Sequence, residues 1–154
     1  MTCPVCPEGQ CGCPHLVLRL VLGSVFFAHG AQKVLGWFGG MGLKPTLEMF
    51  THYMHIPILF AVLAIAAEFL GGLGLIFGLF TRLAAFGIAV DMMVAVAMVH
   101  WKNGLFMNWA GKQAGEGFEY HLLVIAICVA LMMIGAGRFS LDCCMKKGCK
   151  PKTS

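Results

Sequence analysis

Residues Ile56–Phe80 read IPILFAVLAIAAEFLGGLGLIFGLF, 25 residues with a single charged side chain, Glu68, near the middle. A helix of about 20 apolar residues crosses a hydrocarbon core of about 30 Å, whereas a soluble helix of that length carries a polar face. Three further stretches repeat the pattern: Leu16–Leu35, Leu83–Trp101 and Tyr120–Ala136. The fold class expected from them is all-α, an integral membrane four-helix bundle. The whole chain agrees, with 59% hydrophobic and 12% charged residues against roughly 25% charged in a soluble domain.

No period recurs along the chain and no Pro/Ser-rich linker divides it, so one small bundle is expected. We divide it into a Cys-rich N-terminal tail (1–15), a four-span domain (16–142) and a Cys/Lys-rich C-terminal tail (143–154). The net charge of +4 implies no nucleic-acid partner, because the basic residues lie at membrane boundaries and form no aromatic-interleaved patch. With both termini inside, the cytoplasmic side holds Arg19, Arg82, Arg138, Lys146, Lys147, Lys150 and Lys152, and the other side Lys33, Lys44, Lys102 and Lys112. Positive charge favours the inner side, which predicts a multi-pass protein of the cytoplasmic membrane with both termini cytoplasmic. Ala28-His29-Gly30 loosely resembles a signal-peptidase site, but Arg19 is a thin positive region and the apolar pattern resumes at Val34, so His29 is expected to stay in the mature chain.

Ionisable groups inside these spans cost at least about 2.5 kcal/mol each and need partners or a task. His29 and Lys33 are one turn apart on one helical face. They are expected either to end the helix, with Lys33 snorkelling to the surface, or to form a hydrogen-bonding edge for a ligand. Glu68 shares its face with Gly71 and Gly72, where another helix can approach closely; it is read as a proton-exchanging group or an interhelical hydrogen bond. Asp91 lies halfway along the third span between Gly87 and Ala95. It reaches a depth similar to that of Glu68, and the two share a proton if adjacent.

At the outer ends stand His100, Glu116, Glu119 and His121. Glu119 suits the N-terminus of the fourth helix and is expected to face His29 or His100. Trp37, Trp101, Trp109 and Tyr120 read as an interfacial aromatic belt. His52 and His55, three apart, are expected to be surface residues in preference to metal ligands.

In their order and spacing these residues resemble the DoxX family over about Leu16 to Asp142. The matching positions are Arg19-Leu20 with Gly23, His29-Gly30 with Lys33, Glu68 with Gly71-Gly72 and Gly78, Thr81-Arg82, Glu119, and the closing run Gly135 to Asp142. Ala136 stands where the family commonly has proline. The resemblance implies a four-helix inner-membrane protein associated with redox systems, including a thiosulfate:quinone oxidoreductase and thiol, superoxide or catechol/quinone stress systems. It also implies a quinone as ligand, whose headgroup needs hydrogen-bond partners and whose tail needs an apolar cleft.

Seven of the eight cysteines lie in the tails: Cys3, Cys6, Cys11, Cys13, Cys143, Cys144 and Cys149. Both tails are expected on one face, where clustered thiolates suit Zn²⁺, Cu(I) or an iron-sulfur cluster, or else are incidental thiols. Cys128, mid-helix, is expected to be a small buried hydrophobe.

The functional expectation is a membrane subunit or partner of an oxidoreductase that binds a quinone-type ligand in the bundle. His29, Lys33 and His100 would contact the headgroup, Glu68 and Glu119 would exchange protons, and Asp91 would support them. Lipid and a redox partner protein or a second copy are the expected partners. Two rivals stand beside this reading: a membrane scaffold, and a small metal-handling transporter that captures a cation with the Cys-rich tails.

Overall fold

The computed structural model describes residues 13–145. Four helices dominate: α1 (Cys13–Val34), α3 (Ile58–Phe77), α4 (Thr81–Ala95) and α5 (Glu119–Ile134), with shorter α2 (Leu43–Glu48) and α6 (Leu141–Met145). Two π-helical turns, Met49–Tyr53 and Val96–His100, extend α2 and α4. α1 packs on α3, α3 on α4, α4 on α5, and α5 returns to α1, which closes the four-helix bundle that the apolar stretches imply.

α1, α3 and the continuous run Thr81–Asn103 are long and apolar enough to cross a membrane. The fourth helix is shorter than expected. At 16 residues and 1.5 Å per residue it spans about 24 Å, because Gly135, at φ 80°, leaves the helical region. The outer faces carry large apolar side chains such as Val21, Leu63, Leu70, Phe86, Leu123 and Met133, the surface of a protein solvated by lipid. The interior is a small apolar core of Leu22, Phe26, Leu75, Ile88, Val124 and Leu131, with Cys128 fully buried among them as a hydrophobe.

Glycines set how closely the helices approach. A Cβ on Gly72 would strike the Phe27 backbone of α1, and one on Gly30 would come within 2.5 Å of Phe69 Cα. Gly71, one residue away and rotated about 100°, faces α4, where an added Cβ would meet the Ile88 side chain at 3.4 Å and Ala84 O at 3.6 Å, ordinary contact distances. Adjacent glycines therefore serve two different interfaces.

The opposite end is closed by the turns from Gly135 to α6. Arg19 is fully buried, and its guanidinium donates to the Phe139 carbonyl. Asp142 accepts from Phe80 N at 2.7 Å and Thr81 N at 2.9 Å, capping α4, while its own N–H donates to Gly78 O at 2.9 Å. A side chain on Gly78 would run into the Arg19 guanidinium. Arg19 is thus no boundary charge, as the orientation count assumed, but a tie between α1 and the C-terminal turn. The charge asymmetry rests on the remaining basic residues.

The segment between α1 and α3 is itself partly helical. Thr46 is buried with its hydroxyl bonded to Gly42 O at 2.7 Å, which anchors α2 and its π-turn across the ends of α1 and α3. His52 and His55 are exposed.

Candidate functional site

Three of the four long helices, α1, α3 and α4, bring a charged side chain to one point in the bundle, the Glu68 carboxyl, and α5 places Tyr120 within its electrostatic field. Glu68 is 6% exposed, carried on the face of α3 that leads into the glycine crossing. From α1, Lys33 Nζ donates to both carboxylate oxygens and lies 5.9 Å from the centre of the Phe50 ring above it. From α4, Asp91 comes within hydrogen-bonding reach of Glu68. From α5, Tyr120 lies in the electrostatic field of Glu68, with a buried hydroxyl that has no partner among the described residues.

An ion pair out of water gains from a low dielectric only when its remaining hydrogen-bonding capacity is met. Here the Lys33 ammonium and the Asp91 carboxyl supply that compensation to Glu68, while the Tyr120 hydroxyl beside them has no hydrogen-bond partner among the described residues.

The structure separates residues that the sequence reading grouped. His29 is exposed: Phe26 and Gly30 take the inward positions of α1, and residue 29 lies about 100° from Gly30. Lys33 comes in from the rim because its four-carbon stem lets the ammonium turn towards α3. Glu119 faces neither His29 nor His100. Its Oε1 accepts from Met107 N at 3.2 Å and Trp109 Nε1 at 3.3 Å, so it clasps the loop that precedes α5.

His100 belongs to the same clasp: its Nδ1 bonds Glu116 O at 2.8 Å, which also accepts from Asn103 Nδ2 at 2.9 Å. Its ring lies against that of His121, with centroids 4.2 Å apart. Trp37, Trp101 and Trp109 are exposed, but Tyr120 is turned inward and is not a belt residue. No sequence signal separated it from the tryptophans, because its inward direction depends on where α5 starts.

An apolar groove of about 940 Å³ runs along the lipid-facing seam of α3 and α4, lined by residues such as Phe60, Leu63, Gly74, Gly87 and Val90, with Phe50 and Met54 from the segment before α3 also on its wall. Among the described residues, Asp91 is the only ionisable one on its wall. The polar centre therefore reaches the membrane phase through Asp91. A ligand with an apolar tail and a hydrogen-bonding headgroup matches this donor set, since Asp91 offers a contact at the wall and Lys33 and Glu68 stand behind it.

Of the tail cysteines, Cys3, Cys6, Cys11 and Cys149 lie outside the described residues. Cys13 and Cys144 are free and exposed, and Cys143 is disulfide-bonded. His15 packs on Gly137 and Arg19 on Phe139, so the start of α1 and the start of α6 share one end of the bundle. Among the described residues no group of three or more His, Cys, Asp or Glu side chains is placed to hold a metal ion.

The family model described as DoxX matches residues 15–101, a range that holds Lys33, Glu68 and Asp91 and stops short of Tyr120. CatD of Bacillus subtilis, whose name assigns it provisionally to the oxidoreductases, is 30% identical over 135 residues, covering 88% of this chain and 89% of its own. An uncharacterized Haemophilus influenzae protein is 33% identical over 131 residues, covering 81% and 85%. The inner membrane protein YqjF of Escherichia coli is 26% identical over 132 residues, covering 86% and 92%. No solved structure matches.

Proposed function

The chain belongs to the DoxX family, and on that premise we propose that it binds a lipid-soluble quinone in the α3–α4 groove and serves as the membrane partner of an oxidoreductase. The observation that carries this reading is Asp91, an ionisable residue on the wall of an otherwise apolar groove, backed by Glu68 and Lys33. Intramembrane carboxyls facing a cavity mark ligand and proton sites. We place the protein in the inner membrane with both termini cytoplasmic, in line with the basic-residue asymmetry and with the inner-membrane relative.

A bound quinone would supply two-electron chemistry coupled to proton uptake, the electrons coming from the partner enzyme. The residues of this chain position the headgroup and manage its protons. A carboxylate only accepts hydrogen bonds, so contact between Asp91 and Glu68 requires a proton between them. Lys33 balances the one negative charge that remains. Asp91 can then hold or release a proton at a quinone oxygen while Glu68 and Lys33 keep the net charge of the centre small. Asp91 takes the headgroup role that the sequence reading gave to His29 and His100.

Tryptophan-fluorescence titration with decylubiquinone in nanodiscs tests the proposal. Saturable binding by the native protein, weakened about tenfold or more by D91L and less by D91N, is the expected result. Equal affinity in all three proteins would sink it. The scaffold reading predicts instead that E68L fails to assemble while E68Q keeps every property of the native protein.

A further inference from the structure

The fourth crossing of the bundle is incomplete as a helix. α5 has 16 residues and spans about 24 Å, about 6 Å short of a hydrocarbon core of about 30 Å, whereas the other three helical runs are long enough to cross. The shortfall lies at the start of α5. At its end the exposed Arg82 guanidinium stands 3.5 Å from Met133 O, and a guanidinium beside the last turn sets that end at headgroup level. What continues the crossing beyond Glu119 is the 104–118 loop, whose Leu105 O accepts from Glu119 N at 2.9 Å and whose Gly104 O accepts from Phe118 N at 3.2 Å.

Two features set this loop apart from a connection that runs through water. Its first turn presents Leu105 together with Phe106, 67% exposed, and Trp109, 87% exposed, and large apolar side chains exposed side by side mark a contact surface. The polar hydrogens beside them are occupied from within. Glu119 Oε1 accepts from Met107 N at 3.2 Å and from Trp109 Nε1 at 3.3 Å, and Glu116 Oε2 accepts from Asn108 N at 2.8 Å. Further along, Asn108 Oδ1 accepts from Gln113 N at 3.0 Å and its amide donates to Gln113 O at 3.1 Å. Non-helical backbone is tolerated at membrane depth only where the protein itself satisfies its polar groups. Lys102 and Lys112 flank the apolar stretch and are exposed, which suits them to phospholipid phosphates.

We propose that Leu105, Phe106 and Trp109 enter the bilayer at this end, so that α5 and the loop together make the fourth crossing, with Glu119 as the internal partner that lets the loop leave water. The occupant of this surface is phospholipid, with acyl chains on Phe106 and Trp109 and phosphates near Lys102 and Lys112. Water would satisfy Met107 N and Trp109 Nε1 without help, and a docked protein could supply its own acceptor to the indole. Acyl chains supply none, which gives the Glu119 carboxylate its task. None of these residues lies on the wall of the α3–α4 groove, so the place of the loop in the membrane stands apart from quinone binding.

Trp109 itself reports where the loop lies. The double variant W37F/W101F leaves it as the sole tryptophan, and the protein is reconstituted into phosphatidylcholine/phosphatidylglycerol vesicles whose lipids carry bromine either near the top or near the end of the acyl chain. Bromine near the top should quench Trp109 emission about twofold or more, bromine near the chain end less, and acrylamide in the water only weakly. Adding Glu119→Ala, which strands Met107 N and Trp109 Nε1, should reverse these responses, with helicity unchanged. Quenching by acrylamide and by neither brominated lipid overturns the proposal and leaves the loop in water or under a protein partner. Bromine quenching that persists unchanged in the folded E119A protein overturns it too, since insertion then needs no internal partner. Should W37F/W101F fail to fold, native protein and W109F in the same vesicles give the same reading, because the bromine-sensitive emission must fall when Trp109 is lost.

Discussion

Lys33 of α1 and Glu68 of α3 form an ion pair inside the bundle, the ammonium donating to both carboxylate oxygens. The pair joins the two helices within a turn of the close contact between Gly30 and Phe69. It makes one electrostatic unit of a contact that would otherwise be backbone against backbone. Asp91 brings α4 to the same carboxyl, and Tyr120 of α5 lies in its electrostatic field.

Breaking this pair from one side should cost far more than removing it whole. Lys33→Met leaves Glu68 and Asp91 together without a cation, a loss of about 3–5 kcal/mol on the scale of buried pairs. The double variant Lys33→Met, Glu68→Leu should recover most of that stability yet bind no decylubiquinone. Equilibrium unfolding in mixed micelles checks the ordering; a double variant less stable than K33M would contradict it.

The two adjacent glycines of α3 should respond differently to the same methyl group. Gly72→Ala meets the Phe27 backbone and should destabilise by about 1–3 kcal/mol. Gly71→Ala meets a flexible Ile88 side chain at 3.4 Å and should shift stability by less than about 1 kcal/mol. Thermal midpoints of the two variants in one detergent decide the matter.

At the opposite end, Asp142→Ala removes the acceptor for Phe80 N and Thr81 N and takes the counter-charge away from buried Arg19. Loss of the cap alone should cost about 0.5–2 kcal/mol. Hydrogen exchange should show faster exchange confined to the first turn of α4 and to α6, with the Lys33–Glu68 end unchanged. Uniform acceleration across the bundle would show that the end does not act locally.

Glu119→Ala separates the loop clasp from the polar centre. Its carboxylate holds Met107 N and Trp109 Nε1, so the variant should become more sensitive to limited proteolysis between residues 104 and 118. Decylubiquinone affinity should stay within about twofold, because Glu119 bonds the loop and no group of the polar centre. A tenfold loss of affinity would return Glu119 to the ligand site.

What the sequence by itself determined is the solvent of this protein and the number of its long helices. Residues such as Ile56–Phe80, apolar apart from Glu68, have one stable setting in water-free hydrocarbon, and that is local physics. The importance of Lys33, Glu68 and Asp91 was legible for the same reason, since each charge in a span demands compensation. Which of them meet is decided by helix rotation and register, which the sequence pattern leaves open. The glycines at 23, 30 and 72 lock α1 against α3, and that rotation sends His29 outward while the long stem of Lys33 still reaches Glu68. The start of α5 at Glu119 likewise turns Tyr120 inward and leaves Glu119 on the loop. Arg19, read as a boundary charge, is buried because its partners lie 120 residues away at Phe139. Only the closed bundle brings such distant groups together.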